Sequence, residues 1–179
     1  YAVYCYLSEF LLTIVGSMGV TFALIGGLSS FIIAFYLTKI WRIYFEYSAL
    51  ILIVLTLFNP ILWLMSVRYM PDIFGLALVI MACYFFIKSY KNNCKSTSKF
   101  FGFTIGILAG VRLSYLPFFI PLFITTRTHK YEVLNALVYA IIATMLWFIP
   151  WAYETGFENM YNLGMYHSNG HFNQWGGGI

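Results

Sequence analysis

Five residues of this chain could do chemistry and stand where an apolar sequence seldom puts such side chains: Arg68, Asp72, Arg112, His167 and His171. The first two lie in Ser66-Val67-Arg68-Tyr69-Met70-Pro71-Asp72, a short break between long apolar runs in a chain of which 9% is charged. A charge at the end of a membrane span is costly and marks a site or an anchor. Asp72, preceded by Pro71, has two readings. As a first-turn carboxylate it is stabilised by free amides and the helix dipole; as a functional group it holds a divalent cation or orients an acceptor, helping to neutralise charge on a departing phosphate. Arg68 either snorkels to lipid headgroups or joins a phosphate site. Arg112 needs a partner if it lies within the membrane, where its cost is about 2.5–3.5 kcal/mol. Its planar fork suits a phosphate bidentately, and the alternative is a structural pair with Glu9 or Asp72. His167 and His171 stand four apart around Gly170; with no third ligand evident, hydrogen bonding from a loop is preferred to metal binding.

The elements that must position these residues follow from composition. The chain is 61% hydrophobic and 21% aromatic, with mean hydropathy +0.81 over 179 residues. A soluble domain is roughly 45–50% apolar, so this is an integral membrane protein. The net charge of +4 is carried by three clusters, Lys39/Arg42, Lys88 to Lys99 and Arg127/Lys130. They are spaced as orientation signals, which argues against nucleic acid as a partner. Cys5, Cys83 and Cys94 show no paired spacing, so neither a disulfide framework nor a zinc knuckle is supported.

Placing each basic cluster in the cytoplasm fixes a topology. Residues 20–38 cross inward, 47–65 return outward past Asn59-Pro60, and 73–87 cross inward again; Arg68 to Asp72 therefore lie outside. Residues 100–126 have basic flanks on both sides, which a single span would separate. The reading that keeps both flanks inside is a re-entrant hairpin of two arms of about 12 residues, each about 18 Å, broken by Gly110, Pro117 and Pro121, with Arg112 near its tip. Non-helical backbone at that depth needs a protein or water lining, so the hairpin implies a cavity; a single kinked span is the simpler alternative. Residues 132–150 then cross outward, and 151–179, rich in glycine, asparagine and aromatic residues, read as an outer loop. Residues 1–16 read as an outer interfacial helix. Trp147, Trp151 and Trp175 are placed as an interfacial belt. The expected fold is therefore all-α, a polytopic transmembrane helix bundle with a short re-entrant helix pair and outer-face interfacial segments. It forms one membrane domain over 1–179, which reads as a fragment of a longer chain.

Three stretches carry a family likeness. Ser66-Val-Arg-Tyr-Met-Pro-Asp72-Ile-Phe-Gly-Leu-Ala-Leu resembles the segment of GT-C superfamily membrane glycosyltransferases in which an acidic residue opens the helix after the second outer loop. Gly106-Ile-Leu-Ala-Gly-Val-Arg112-Leu-Ser-Tyr-Leu-Pro117 is similar to their short-helix region. His167-Ser-Asn-Gly-His171-Phe-Asn-Gln-Trp175-Gly-Gly resembles an outer-loop stretch of uncharacterised bacterial members. The resemblance implies transfer of a sugar from a polyprenyl-phosphate donor to an acceptor at the outer face of a bacterial inner (plasma) membrane. Asp72 would be the catalytic acidic residue or a metal ligand, with Arg68, Arg112, His167 and His171 in substrate or phosphate binding. Membrane lipids and the lipid-linked sugar are the implied partners, and a divalent metal ion is the one cofactor it allows. The principal carboxylate of that superfamily lies in its first outer loop, which would fall before Tyr1, so this stretch alone is expected to be inactive. The rival reading is a secondary transporter or a non-catalytic scaffold, since broken helices and intramembrane arginines also serve transport.

Overall fold

The computed structural model describes residues 2–45, 48–66, 71–92, 95–120 and 130–175, with backbone alone described at 66, 92, 95, 130–132 and 167–175. All regular elements among them are helical: α1 (Ala2–Val15), α2 (Met18–Tyr44), α3 (Leu50–Leu57), α4 (Pro60–Ser66), α5 (Asp72–Asn92), α6 (Lys95–Val111), a 3-10 helix (Leu113–Phe119), α7 (Lys130–Thr155) and α8 (Phe157–Trp175). Met18–Tyr44, Asp72–Lys91 and Val133–Thr155, with mean hydropathies of 2.0, 1.9 and 2.0, are each long and apolar enough to cross a membrane. The stretches 20–38, 73–87 and 132–150 fall within these three helices. On α7, Leu134, Leu137, Ile141, Met145 and Ile149 all face outward and exposed, a surface compatible with lipid acyl chains.

Side-chain contacts give the helix directions. Tyr4 reaches the upper parts of α2 and α5 at Phe22 and Phe74, Tyr36 meets Tyr84, and Lys91 Nζ donates to the Ile43 carbonyl. Thus α2 and α5 run in parallel and both end among lysines. Between them α3 and α4 run back: Ile53 and Leu57 lie against Phe35 and Thr38, and Leu62 and Met65 pack on Ile33, Ile73 and Ala77. The expected single span over 47–65 is two helices of 8 and 7 residues instead. Pro60 has no N–H to continue α3, and Asn59 caps α4 with its side-chain oxygen accepting from Ile61 N at 2.9 Å. Trp63 Nε1 donates to the Leu57 carbonyl that the break leaves over.

At the centre lies α6, with Leu108 and Val111 fully buried. Its Gly102, Gly106 and Gly110 recur every four residues on the face toward α7. A side chain at Gly102 would meet the Ala136 carbonyl, one at Gly106 the Ala140 carbonyl and Ala143 Cβ, and one at Gly110 the Trp147 ring. Small residues at this spacing let two helix backbones touch, and Trp147 Nε1 donates across the contact to the Gly106 carbonyl at 2.9 Å. The indole expected in an interfacial belt is thus a half-buried strut of the bundle. Because Lys99 sits over Tyr139, Gly102 on Ala136 and Gly110 on Trp147, α6 and α7 run in parallel, and the chain must reverse between Val111 and Lys130.

The reversal starts at Arg112, after a helix of 17 residues, about 25 Å long; its residues 100–111 coincide with the first arm expected over 100–126, and residues 95–99 extend it into the basic stretch. The 3-10 helix then runs back along α6 until Phe119 is 5.9 Å from Phe101, ring to ring. Residues 121–129, the rest of the expected return arm, lie outside the described residues. The outer loop expected over 151–179 is corrected as well: α7 continues to Thr155, Gly156 ends it at φ 77° with its N–H on the Ala152 carbonyl, and α8 follows. Gly164, Gly170 and the asparagines suggested a loop, but the stretch is helical, with Met160, Leu163 and Gly164 at helical spacing on one wall of a cavity that Trp147 and Trp151 line from α7. Within the stretch 1–16, Ala2–Val15 form a helix, α1, packed on α2, α6 and α7.

Gly106→Val is expected to overpack the α6–α7 contact and lower stability by about 1–3 kcal/mol. Gly27→Ala, in α2 where a Cβ meets nothing within 4 Å, should raise it by about 0.5–1 kcal/mol. Thermal unfolding in one detergent checks both; equal effects at the two positions would remove the special role given to α6.

Candidate functional site

Arg112 sits where α6 stops. Its N–H still closes the last helical turn on the Leu108 carbonyl at 2.8 Å, but its own backbone is extended, with φ −160° and ψ 102°. Pro117, five residues on, cannot donate a helical hydrogen bond and its ring would clash with the preceding turn, so the chain goes on as a 3-10 helix. An arginine in the middle of α6 would lie against a neighbouring helix. At the turn it projects from the end of the bundle opposite to Lys39, Lys88 and Lys91.

Asp72 reaches the same place from α5. Pro71 supplies the carbonyl that receives Gly75 N–H at 2.8 Å, so Asp72 opens the helix, where the free amides and dipole favour a negative charge. Its carboxylate forms an ion pair with the Arg112 guanidinium. Asp72 Oδ1 is buried and has no hydrogen-bonding partner beyond that pair among the described residues. Arg112 is held on two further sides: its Nε donates to Ser114 Oγ at 3.2 Å, and its guanidinium lies 5.5 Å from the centre of the Tyr115 ring. The Tyr115 ring in turn lies on Gly75, where a Cβ would come within 2.6 Å of it. That glycine was a signal legible in the sequence, one helical turn after Asp72, and it was missed.

Two cavities meet at Arg112. One, of about 310 Å³, is lined by Ile61, Leu62 and Met65 of α4, Ile73 and Leu76 of α5, and the Asp72, Arg112 and Tyr115 side chains. It is an apolar slot with the ion pair as its polar end. The other, of about 520 Å³, lies between the end of α6, α7 and α8, with Trp147, Trp151, Ser114 and Met160 in its wall. Over it α1 is pinned by Tyr6, which donates to Glu154 Oε2 at 2.7 Å. That hydrogen bond, reinforced by the charges of Glu154 and Glu9, pushes the Tyr6 hydroxyl up to about 12.

No family model, curated protein or solved structure matches this chain. The site must therefore be judged on its own geometry.

The structure brings Asp72 and Arg112 together, from positions 40 apart in the sequence. Glu9, the other partner considered for Arg112, is on α1, and Arg112 takes Asp72. Arg68 lies outside the described residues. His167 and His171 occupy α8 four positions apart, and their side chains are not among those described. Asp72 offers a cation a single carboxylate that is already committed to Arg112, and no three groups of the kind that hold metals gather among the described residues. The described residues therefore do not make up a cation site.

Two outcomes are expected. Asp72→Asn and Arg112→Gln, each leaving its partner without a counter-charge, should each destabilise by about 1–3 kcal/mol, and the double variant by less than the sum; unfolding of the four proteins in one detergent measures the coupling, and strict additivity would mean that the pair does not form. At Tyr6 the pKa is raised above the ordinary 10, so the clasp on α1 is complete below about pH 10 and lost as pH rises toward about 12. In a tyrosinate absorbance titration, Glu154→Gln should move one late tyrosine back toward 10; an unchanged curve would count against the hydrogen bond.

Proposed function

We propose that this chain is part of an integral membrane glycosyltransferase that moves a sugar from a polyprenyl-phosphate donor to an acceptor at the outer face of the membrane. One observation carries the reading: Arg112, at a non-helical turn, is the shared wall of an apolar slot and an aromatic-lined cavity. A polyprenyl-phosphate sugar has three parts in the same order, an apolar chain, a phosphate and a sugar. The slot on α4 and α5 suits the first isoprene units. The N–H groups of Arg112 not engaged by Asp72 and Ser114 suit the phosphate. The Trp147 and Trp151 cavity suits the sugar, whose ring faces stack on indoles.

In this reading Asp72 keeps the guanidinium oriented and stands beside the phosphate, placed to orient an acceptor hydroxyl. The turn at Arg112 and the 3-10 helix running back along α6 form the tip of the re-entrant pair, α1 lies at the outer interface, and His167 and His171 contribute hydrogen bonds to the donor or acceptor from that side. Arg68, in the same connection as Pro71, adds charge near the phosphate. The membrane is a bacterial inner (plasma) membrane.

Native mass spectrometry of the full-length protein, purified from its own membrane, tests this. Wild type should carry a co-purified polyprenyl phosphate or its sugar conjugate. Arg112→Gln should carry roughly 10–100-fold less, as loss of a charge-assisted hydrogen bond predicts, while Arg112→Lys should keep part of it. Bulk phospholipid alone in wild type would overturn the transferase reading and bring transport or scaffolding to the front.

A further inference from the structure

The lysine end of the bundle holds a further cavity, independent of the site at Arg112. It has a volume of about 130 Å³ and is lined by Lys39 and Ile43 of α2 and by Tyr84, Lys88 and Lys91 of α5. Three lysines thus line it from two helices, with no carboxylate among the described residues of the lining. They are held in place: the Lys39 ammonium lies 4.9 Å from the centre of the Phe35 ring, that of Lys88 5.8 Å from Tyr84, and Lys91 donates to the Ile43 carbonyl at 3.1 Å. Glu46, in the connection after α2, lies outside the described residues.

Electrostatics favours an anion here even against the helix termini. Both α2 and α5 end at this cavity, and a helix C-terminus carries about −0.5 of a charge. Two such ends offset about one of the three positive charges, and Lys91 already answers one of them through Ile43. A surplus of roughly two positive charges remains, more than enough to favour the single negative charge of a phosphodiester.

A neighbouring groove indicates where that phosphate comes from. Phe31, Ala34, Phe35, Thr38, Ile53 and Leu57 line an apolar groove of about 220 Å³ between α2 and α3. The Thr38 hydroxyl is turned back onto the Ala34 carbonyl at 2.7 Å, leaving only hydrocarbon facing the groove. Phe35 belongs to its wall and also lies beneath the Lys39 ammonium, so the basic cavity and the groove adjoin at this one ring. A charged cavity continuing into an apolar groove on the outside of a membrane bundle has the shape of a phospholipid, and basic pockets between helices on the cytoplasmic side commonly take anionic headgroups.

We propose that Lys39, Lys88 and Lys91 form a binding site for the phosphate headgroup of an anionic phospholipid, with one acyl chain lying in the α2–α3 groove. The lysines read in the sequence as orientation signals would then also fix the bundle to the leaflet they face.

The test uses the full-length protein in nanodiscs of phosphatidylcholine with a minor fraction of phosphatidylglycerol, released into the mass spectrometer. Wild type should retain phosphatidylglycerol in preference to phosphatidylcholine. In the Lys39→Gln/Lys88→Gln variant the preference should fall roughly 30-fold, the effect of two interfacial lysines. Lys99→Gln, whose ammonium sits over Tyr139 away from the cavity, should leave it unchanged, and inorganic phosphate should not displace the lipid. An equal loss from Lys99→Gln would reduce the effect to general surface charge and overturn the site. Displacement by inorganic phosphate would overturn the role of the acyl chain. An unaltered preference in the double variant, with its helicity and elution profile intact, would place the lipid elsewhere.

Discussion

The contact between α6 and α7 sets the rest of the bundle. Lipid is as apolar as leucine, so helices surrounded by it associate through van der Waals packing and hydrogen bonds in place of a hydrophobic drive. Gly102, Gly106 and Gly110 remove side chains from one stripe of α6, and the Ala136 and Ala140 carbonyls come up against its backbone. Trp147 fills the end of the stripe and adds the hydrogen bond to the Gly106 carbonyl. Two parallel neighbours joined by a short stretch of chain need a reversal at one end. That reversal is the turn at Arg112, so the position of the candidate site follows from how α6 meets α7.

A bundle of this kind has to settle its polar groups internally. Most of the hydroxyls do so locally: Ser29 donates to the Ile25 carbonyl, Thr56 to Leu52, Thr104 to Phe100 and Thr144 to Ala140. Each uses a carbonyl four residues back and asks nothing of a neighbouring helix. The Asp72–Arg112 pair differs because it joins α5 to the turn after α6 and cannot form unless both are in place. It is also not fully dry, Arg112 retaining 33% of its side-chain exposure and Asp72 24%. A fully buried pair often costs more in lost hydration than it returns. A pair at the mouth of two cavities keeps part of its hydration and remains open to a ligand.

Much of the architecture was legible in the sequence because the bilayer imposes it. Long apolar runs bounded by basic clusters, all placed on one side, give α2, α5 and α7, and the basic flanks of 100–126 on that same side imply a chain that turns back between them. The misreadings came from signals that composition does not carry. Asn59-Pro60 lay inside one expected span, whereas the Asn59 cap and the Trp63 indole stabilise two separate helices. The Gly102, Gly106 and Gly110 stripe was in plain view, yet glycine was treated only as a break, and its close contact with α7 went unread. In the last stretch, glycine and asparagine content outweighed the Met160, Leu163, Gly164 spacing. Of the candidate site, Asp72 and Arg112 could be named from their rarity in apolar surroundings, and Asp72 was one of two partners open to Arg112. Tyr115 and Gly75 could not be paired without the turn between α6 and the 3-10 helix.

The ion pair also limits which anion Arg112 can take. A phosphate near the guanidinium would stand close to the Asp72 carboxylate as well. At about 5 Å and an effective dielectric of about 20, each unit-charge interaction is about 3 kcal/mol, so attraction and repulsion nearly cancel. The positive end of α5 and the N–H groups of Arg112 tip the balance only slightly, and free phosphate would be held weakly. A phosphate tethered to a hydrocarbon chain is another matter. Its chain already lies in the bilayer, so the tether keeps the phosphate at a high effective concentration beside Arg112, and van der Waals packing of an isoprene unit in the slot of Ile61, Leu62, Met65, Ile73 and Leu76 fixes where it sits. The tether and the slot would then supply affinity, while Arg112, its charge largely offset by Asp72, would orient the phosphate. Phosphate departure from a sugar needs that division of labour, because a group that bound the ground-state phosphate very tightly would leave little to gain as charge develops on it in the transition state.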